Sequence, residues 1–189
     1  MSKEERYLKE ILLTHEEILE ISERMGKEIT KEYSYLDQEP ILLIGLLKGC
    51  HPFMSDLLKH IDLLLEVDYM DVSSFFGQIK SNGEVKIIKD LSTDVEGRTV
   101  LIIEDIVDSG RTIKKVIDLL KFRGAKSVEV ASLVDKPSGR TVDLVPKFIG
   151  KELPDAFLLG YGLDYQEMYR DLRCIGVPKD ELIRKEENE

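Results

Sequence analysis

At 189 residues the chain is long enough to bury one compact core and short enough to need no division into two domains. Its net charge of -10, from 37 acidic against 27 basic residues, speaks against a broad nucleic-acid surface, which clustered Lys and Arg would have to supply. The longest apolar stretch, Ile41 to Leu47, is far too short to span a bilayer, and the opening Met-Ser-Lys-Glu-Glu is no signal peptide. Cys50 and Cys174 with three isolated histidines make neither a disulfide framework nor a zinc site, so a cytoplasmic protein with no membrane partner is expected.

Taken in chain order, Thr14-His15-Glu16-Glu17 reads as a capping box, and Ile18, Ile21, Met25 and Ile29 continue one helical face. A strand over Ile41 to Leu46 is followed by Lys48-Gly49 and a helix near Pro52 to His60. Strands are expected over Leu63 to Val72 and Val85 to Ile88, with a mobile loop, Ser73 to Glu84, between them. Val100 to Ile103 is a continuous apolar run bounded by Gly97 and an acidic turn, as in a buried parallel strand. Ile113, Val116, Ile117 and Leu120 then fall on one helical face, and Gly124 sits where a left-handed cap would end it. Val128 to Val134 supplies another strand, while Lys179 to Glu189 is a mixed charge run that reads as a solvated end. No internal repeat or linker interrupts this order, which describes an α/β doubly wound, mainly parallel sheet with a small added subdomain.

The segment Glu104 to Ile113 carries the chemistry. Strand, small-residue turn and helix N-terminus together present free N-H groups to an anion, and Gly110 permits close backbone approach. Glu104 and Asp105 stand side by side at the strand end with no Lys or Arg in the five residues before them. Such a pair would cost several kcal/mol of desolvation and repulsion unless countercharge arrives. A magnesium ion with a polyhydroxylated ligand would supply it. The alternative is a pair that merely caps the loop and faces water.

Val100 to Thr112, VLIIEDIVDSGRT, resembles the phosphoribosyl pyrophosphate (PRPP) motif of type I phosphoribosyltransferases. Other stretches are similar to the purine salvage branch of that family, the hypoxanthine and hypoxanthine-guanine enzymes. Leu47-Lys48-Gly49 resembles its pyrophosphate loop; Val134 to Pro137, Pro154 to Tyr165 and Tyr169 to Leu172 resemble its purine-binding hood. The resemblance covers about residues 10 to 178, and implies one domain with a core over about 36 to 135 and a hood from the N-terminal segment and about 136 to 178.

The resemblance implies transfer of the 5-phosphoribosyl group from PRPP to hypoxanthine or guanine. Glu104 and Asp105 would hold the ribose hydroxyls and, with Asp164, help anchor Mg2+; Asp108, Ser109, Gly110, Arg111 and Thr112 would bind the 5-phosphate. Lys48 and Gly49, in a loop where the family often shows unusual peptide geometry, would engage pyrophosphate with Arg170. Asp108 would be the general base for the purine nitrogen, the alternative being an Asx-type turn residue. Lys136 would donate to the 6-oxo oxygen and so select oxo-purines over adenine; Phe157 would stack on the ring; main-chain atoms near Leu158 and Asp164 would read its other edge. Homodimers or homotetramers are expected from the same resemblance. Two positions depart from the pattern: Phe75 follows Ser74 in the mobile loop where tyrosine is usual, and Arg111 fills a variable slot. A regulatory PRPP-binding protein that contacts nucleic acid, and an enzyme of the same fold acting on xanthine or uracil, stay open as alternatives.

Overall fold

The structure, a computed structural model, describes residues 2–36, 38–74 and 85–183. A short helix α1 (Lys3–Tyr7) and strand β1 (Leu8–Leu13) lead into the long helix α2 (His15–Glu32). The capping box forms as expected: Glu17 N-H donates to Thr14 Oγ1 at 3.2 Å and Thr14 N-H to Glu17 Oε2 at 2.8 Å, satisfying two donors that the first turn leaves open. Then come β2 (Ile41–Leu47), α3 (His51–Leu57), β3 (Leu65–Ser74), β4 (Val85–Lys89), β5 (Thr99–Val107), α4 (Arg111–Phe122) and β6 (Ser127–Asp135). β7 (Phe148–Glu152), β8 (Ile175–Pro178) and α5 (Asp180–Ile183) complete the described chain.

Six strands form one sheet in the order β4-β3-β2-β5-β6-β7, parallel except for β4 at the edge. Both faces are covered, so successive residues of the central strands enter different cores. Leu43, Leu101 and Ile103 pack with Ile18, Met25 and Phe53 from α2 and α3, while Leu42, Ile44, Val100 and Ile102 pack with Val116, Ile117 and Leu120 of α4. The chain runs from β2 outward to β3 and then returns to the other side of β2 as β5. That reversal opens a crevice at the carboxyl ends of β2 and β5, where α/β sheets bind ligands.

β1 and β8 make a separate two-stranded antiparallel sheet, with Leu8 opposite Pro178 and Leu13 opposite Ile175. The expected hood span of about 136 to 178 needs one amendment: β7 lies inside it yet pairs in parallel with β6 and extends the main sheet. The acidic pair also moves. Glu104 and Asp105 belong to β5 rather than to a turn after it, with Glu104 opposite Ser132 of β6. Lys179 and the start of the charged tail are tied down, since Lys179 N-H donates to Tyr7 O at 3.0 Å and its Nζ to Glu5 O at 2.7 Å. Of the expected mobile loop, Ser73 and Ser74 end β3, and Phe75 to Glu84 lie outside the described residues.

Candidate active site

Five segments meet over the crevice: the turn after β2, the end of β5 with its loop into α4, the turn after β6, and two stretches of hood. Glu104 and Asp105 are each only 8% exposed. Burial drives the Glu104 carboxyl well above its ordinary range, helped by the Asp105 charge. Burial likewise pushes Asp105 up to about 6, although the Ile106 N-H and the Arg170 guanidinium favour its charged form. Two buried acids with no cation paired to either among the described residues are a poor end state for a protein at neutral pH and a good receptor for a dication and hydroxyls.

The phosphate turn follows. Gly110, at φ 75, is the residue before α4, and its left-handed backbone turns the loop so that the helix N-terminus opens toward the crevice. The turn is braced from behind: Thr141 N-H donates to Ser109 O at 3.1 Å, and Lys136 N-H to Val107 O at 2.9 Å. Arg140 bonds Asp135 and reaches Val107 O at 3.4 Å. Arg111 is a partial correction, because its Nε donates to Thr141 Oγ1 at 2.8 Å. That side chain braces the outer strap, leaving its backbone N-H, 3.5 Å from Ser109 Oγ, as its link to the nest. Thr112 sits in the first turn as expected.

On the β2 side the Leu47-Lys48 peptide bond is cis, the unusual geometry expected there. Gly49 presses so closely on Asp105 that a Cβ would collide with its carboxylate. Lys48 Nζ pairs with Glu167 Oε2 at 2.7 Å. Arg170 bonds Gly162 O at 2.7 Å and Asp164 Oδ1 at 3.0 Å, and lies 3.3 Å from Glu167, while its buried Nε has no partner among the described residues. Asp164 Oδ2 also accepts from Glu167 N-H at 2.9 Å. Both cations expected to engage pyrophosphate are thus collected around one carboxylate, Glu167.

In the hood, Lys136 is only 5% exposed, and its Nζ lies 3.1 Å from Asp108 Oδ2, 3.2 Å from Asp155 Oδ1 and 3.1 Å from Ala156 O. Phe157 is 48% exposed and meets Tyr165 edge-on at 5.8 Å. Leu158 is buried in the core, which leaves only its main chain for recognition. Sequence reading assigned no role to Asp155, Glu167 or Gly139. Asp155 lies inside the Pro154 to Tyr165 stretch and Glu167 between the two hood stretches, and a Cβ on Gly139 would strike Asp108, a closeness that no local pattern signals.

The expected metal ligands Glu104, Asp105 and Asp164 do not gather into one cluster. Among the described residues no group of three or more His, Cys, Asp or Glu side chains is arranged to hold a metal ion. Magnesium is nevertheless suited to the site, since it commonly takes one or two carboxylates and completes its shell with substrate oxygens and water. The buried pair fits that role, while Asp164 is engaged by Arg170 and the Glu167 amide.

The architecture and this crevice are those of an α/β protein built to bind an anion at its sheet reversal, and comparison with known proteins gives the class. The phosphoribosyl transferase domain profile matches residues 9–166, and the chain belongs to the phosphoribosyl transferase family. It is 54% identical over 172 residues to the hypoxanthine-guanine phosphoribosyltransferase of Bacillus subtilis (strain 168), covering 91% of this chain and 94% of that one. A solved hypoxanthine phosphoribosyltransferase from Staphylococcus aureus superposes with TM-score 0.89 at 48% identity, covering 96% of this chain and 97% of its own. The Trypanosoma cruzi enzyme in complex with its product IMP gives TM-score 0.87 at 33% identity over 93% of this chain and 96% of its own. Within the family the chain therefore falls among the hypoxanthine-guanine phosphoribosyltransferases. Among the described residues no helix is long and apolar enough to cross a membrane.

Proposed function

We infer that this chain is a purine salvage enzyme, transferring the phosphoribosyl group of PRPP to N9 of hypoxanthine or guanine to give IMP or GMP and pyrophosphate. The observation that carries the mechanism is the convergence, at one sheet reversal, of a buried acid pair, an anion-binding helix N-terminus and a buried lysine bound to a carboxylate.

Glu104 and Asp105 hold the ribose 2- and 3-hydroxyls and would hold a magnesium ion through their carboxylate oxygens. When bound, that ion supplies positive charge to the departing pyrophosphate oxygens. The backbone N-H groups from Asp108 to Thr112, with the Ser109 and Thr112 hydroxyls, bind the 5-phosphate and fix the sugar's position. Lys48 and the Gly49 backbone take the pyrophosphate together with Arg170, both cations leaving Glu167 to do so. This stabilises the charge that builds as the bond to C1 breaks and the ribose becomes oxocarbenium-like.

The purine enters against Phe157, with its 6-oxo oxygen accepting from Lys136 and its other edge reading main chain near Leu158 and Asp164. An oxo-purine offers an acceptor to that lysine where adenine offers a donor, which sets the selectivity. As Lys136 turns to the base it gives up its bond to Asp108, freeing that carboxylate to take the ring proton as the nitrogen attacks. Asp108 is thus held by Lys136 in the empty site and acts as general base in the filled one.

Two free, buried cysteines suit a reducing compartment, and we propose the cytoplasm. The exposed apolar side chains Leu64, Ile88, Phe122 and Val145 leave surface for self-association, and we propose a homodimer or homotetramer, to be checked by light scattering. The function is tested by steady-state rates with PRPP, magnesium and a panel of hypoxanthine, guanine, xanthine, adenine and uracil. Fast formation of IMP and GMP is expected, and a preference for uracil or adenine would overturn the base assignment.

A further inference from the structure

Tyr161 occupies a stretch of hood, Gly160 to Gly162, in which all three residues have positive φ, at 99, 48 and 101. Glycine adopts this conformation readily and tyrosine does not, so surrounding structure must hold the tyrosine there. Bonds that do so from the hood side include Tyr161 N-H to Leu172 O at 2.9 Å, Gly162 N-H to Arg170 O at 2.9 Å, Arg170 Nη1 to Gly162 O at 2.7 Å, and the Gly160 and Leu163 backbones exchanging bonds at 3.1 Å. Another comes from the main fold. The buried phenol donates to Asp56 Oδ2 at 2.5 Å, beside Pro52 O at 3.4 Å.

Asp56 lies on α3, the helix that begins directly after the Lys48-Gly49 turn, and also accepts from Lys59 at 2.6 Å. Gly162 in turn packs against the carbonyl of Gly49 so tightly that a Cβ would collide with it. The tyrosine therefore ties the backbone that orients Arg170 to the helix that carries the opposing half of the pyrophosphate site. We propose that Tyr161 and Asp56 are positioning residues for phosphoribosyl transfer, their hydrogen bond setting Arg170 in register with the Lys48-Gly49 loop. The proposal rests on the reading of that loop and Arg170 as the pyrophosphate grip. Neither Tyr161 nor Asp56 touches the reacting atoms.

The test compares Tyr161→Phe, Asp56→Ala, Asp56→Asn and the Tyr161→Phe/Asp56→Ala double variant in both reaction directions. Tyr161→Phe keeps the ring and its packing and removes one hydrogen bond to a charged acceptor, an interaction whose loss is felt at about tenfold. The expected result is a KM for PRPP, and for pyrophosphate in the reverse direction, raised about tenfold, with KM for hypoxanthine and for IMP within about twofold of wild type. Asp56→Ala should match it, and the double variant should be no worse than either single one because both break the same bond. Asp56→Asn keeps an acceptor oxygen and should restore most of the PRPP affinity. A melting temperature lowered in Tyr161→Phe with KM for PRPP unchanged, or an equal rise in KM for hypoxanthine, would overturn the proposal by assigning the pair to general stability. A wild-type protein that forms no IMP would contradict the parent reading instead.

Discussion

Lys136 Nζ lies 3.1 Å from Asp108 Oδ2 in the ligand-free site, so the lysine assigned to the purine oxygen and the carboxylate assigned to the purine proton neutralise each other until a base arrives. Asp155, at 3.2 Å on the exposed side, and Ala156 O complete the resting shell of the lysine. If Asp108 is the base, Asp108→Asn keeps the shape of the loop and removes proton acceptance. Turnover is expected to fall by about two to four orders of magnitude, with KM for PRPP changed little. Pre-steady-state formation of IMP at saturating PRPP checks this, and a variant that turns over like wild type contradicts it.

In the proposed mechanism Lys136 supplies a charged donor to the 6-oxo oxygen, a contact worth about 1.5–3 kcal/mol and hence about tenfold to a hundredfold in affinity. Lys136→Gln should raise KM for hypoxanthine and guanine within that range. It should also raise the ratio of adenine to hypoxanthine turnover, because an amide can accept as well as donate. Rates with the three bases decide it.

The pH dependence of stability follows from the acid pair. The Asp105 carboxyl, pushed up to about 6 in the fold from an ordinary 3.8, holds its proton more tightly folded than unfolded. The contribution of this group to stability is therefore greatest below 3.8, declines as pH rises from there to about 6, and remains reduced above that. Glu104, raised in the same direction by burial, adds a change of the same sign. Glu104→Gln/Asp105→Asn should consequently melt higher than wild type at about pH 7.5, with the gap closing toward about pH 4. Thermal melting across that range, without ligand, gives the answer.

Gly49→Ala introduces a Cβ that collides with the Asp105 carboxylate. Either the loop or the carboxylate must move, and both contact the same ligand in this mechanism. PRPP affinity should drop at least about tenfold while the fold, read by circular dichroism, is retained.

Much of this could be read from the chain because the informative signals are local. β5 and α4 announce themselves through a continuous apolar run and then an apolar face repeating with the helical period, and Gly124 ends the helix with φ 86 as its position implied. α2 was legible from its capping box. β1, β7 and β8 were not, since LKEILL, FIGKE and IGVP carry no strict alternation, and β1 finds its partner more than 160 residues away. The same reason hides the Tyr161–Asp56 bond and the Arg140–Asp135 pair behind the phosphate turn, whose members gain meaning only when distant segments meet. Glu104 and Asp105 were recognised as a ligand pair but placed in a turn, because two charges inside a buried strand contradict its pattern. Local rules fail there because the site demands it.

The central claim is that the buried acid pair and the helix N-terminus grip one ligand together through magnesium. Isothermal titration calorimetry of PRPP into wild type and Glu104→Gln/Asp105→Asn, each with magnesium and with a chelator, tests it most directly. The account predicts tight binding only for wild type with magnesium, and a loss of at least about tenfold in the other three titrations. Equal affinity in the double variant, or in wild type with the chelator, would contradict it.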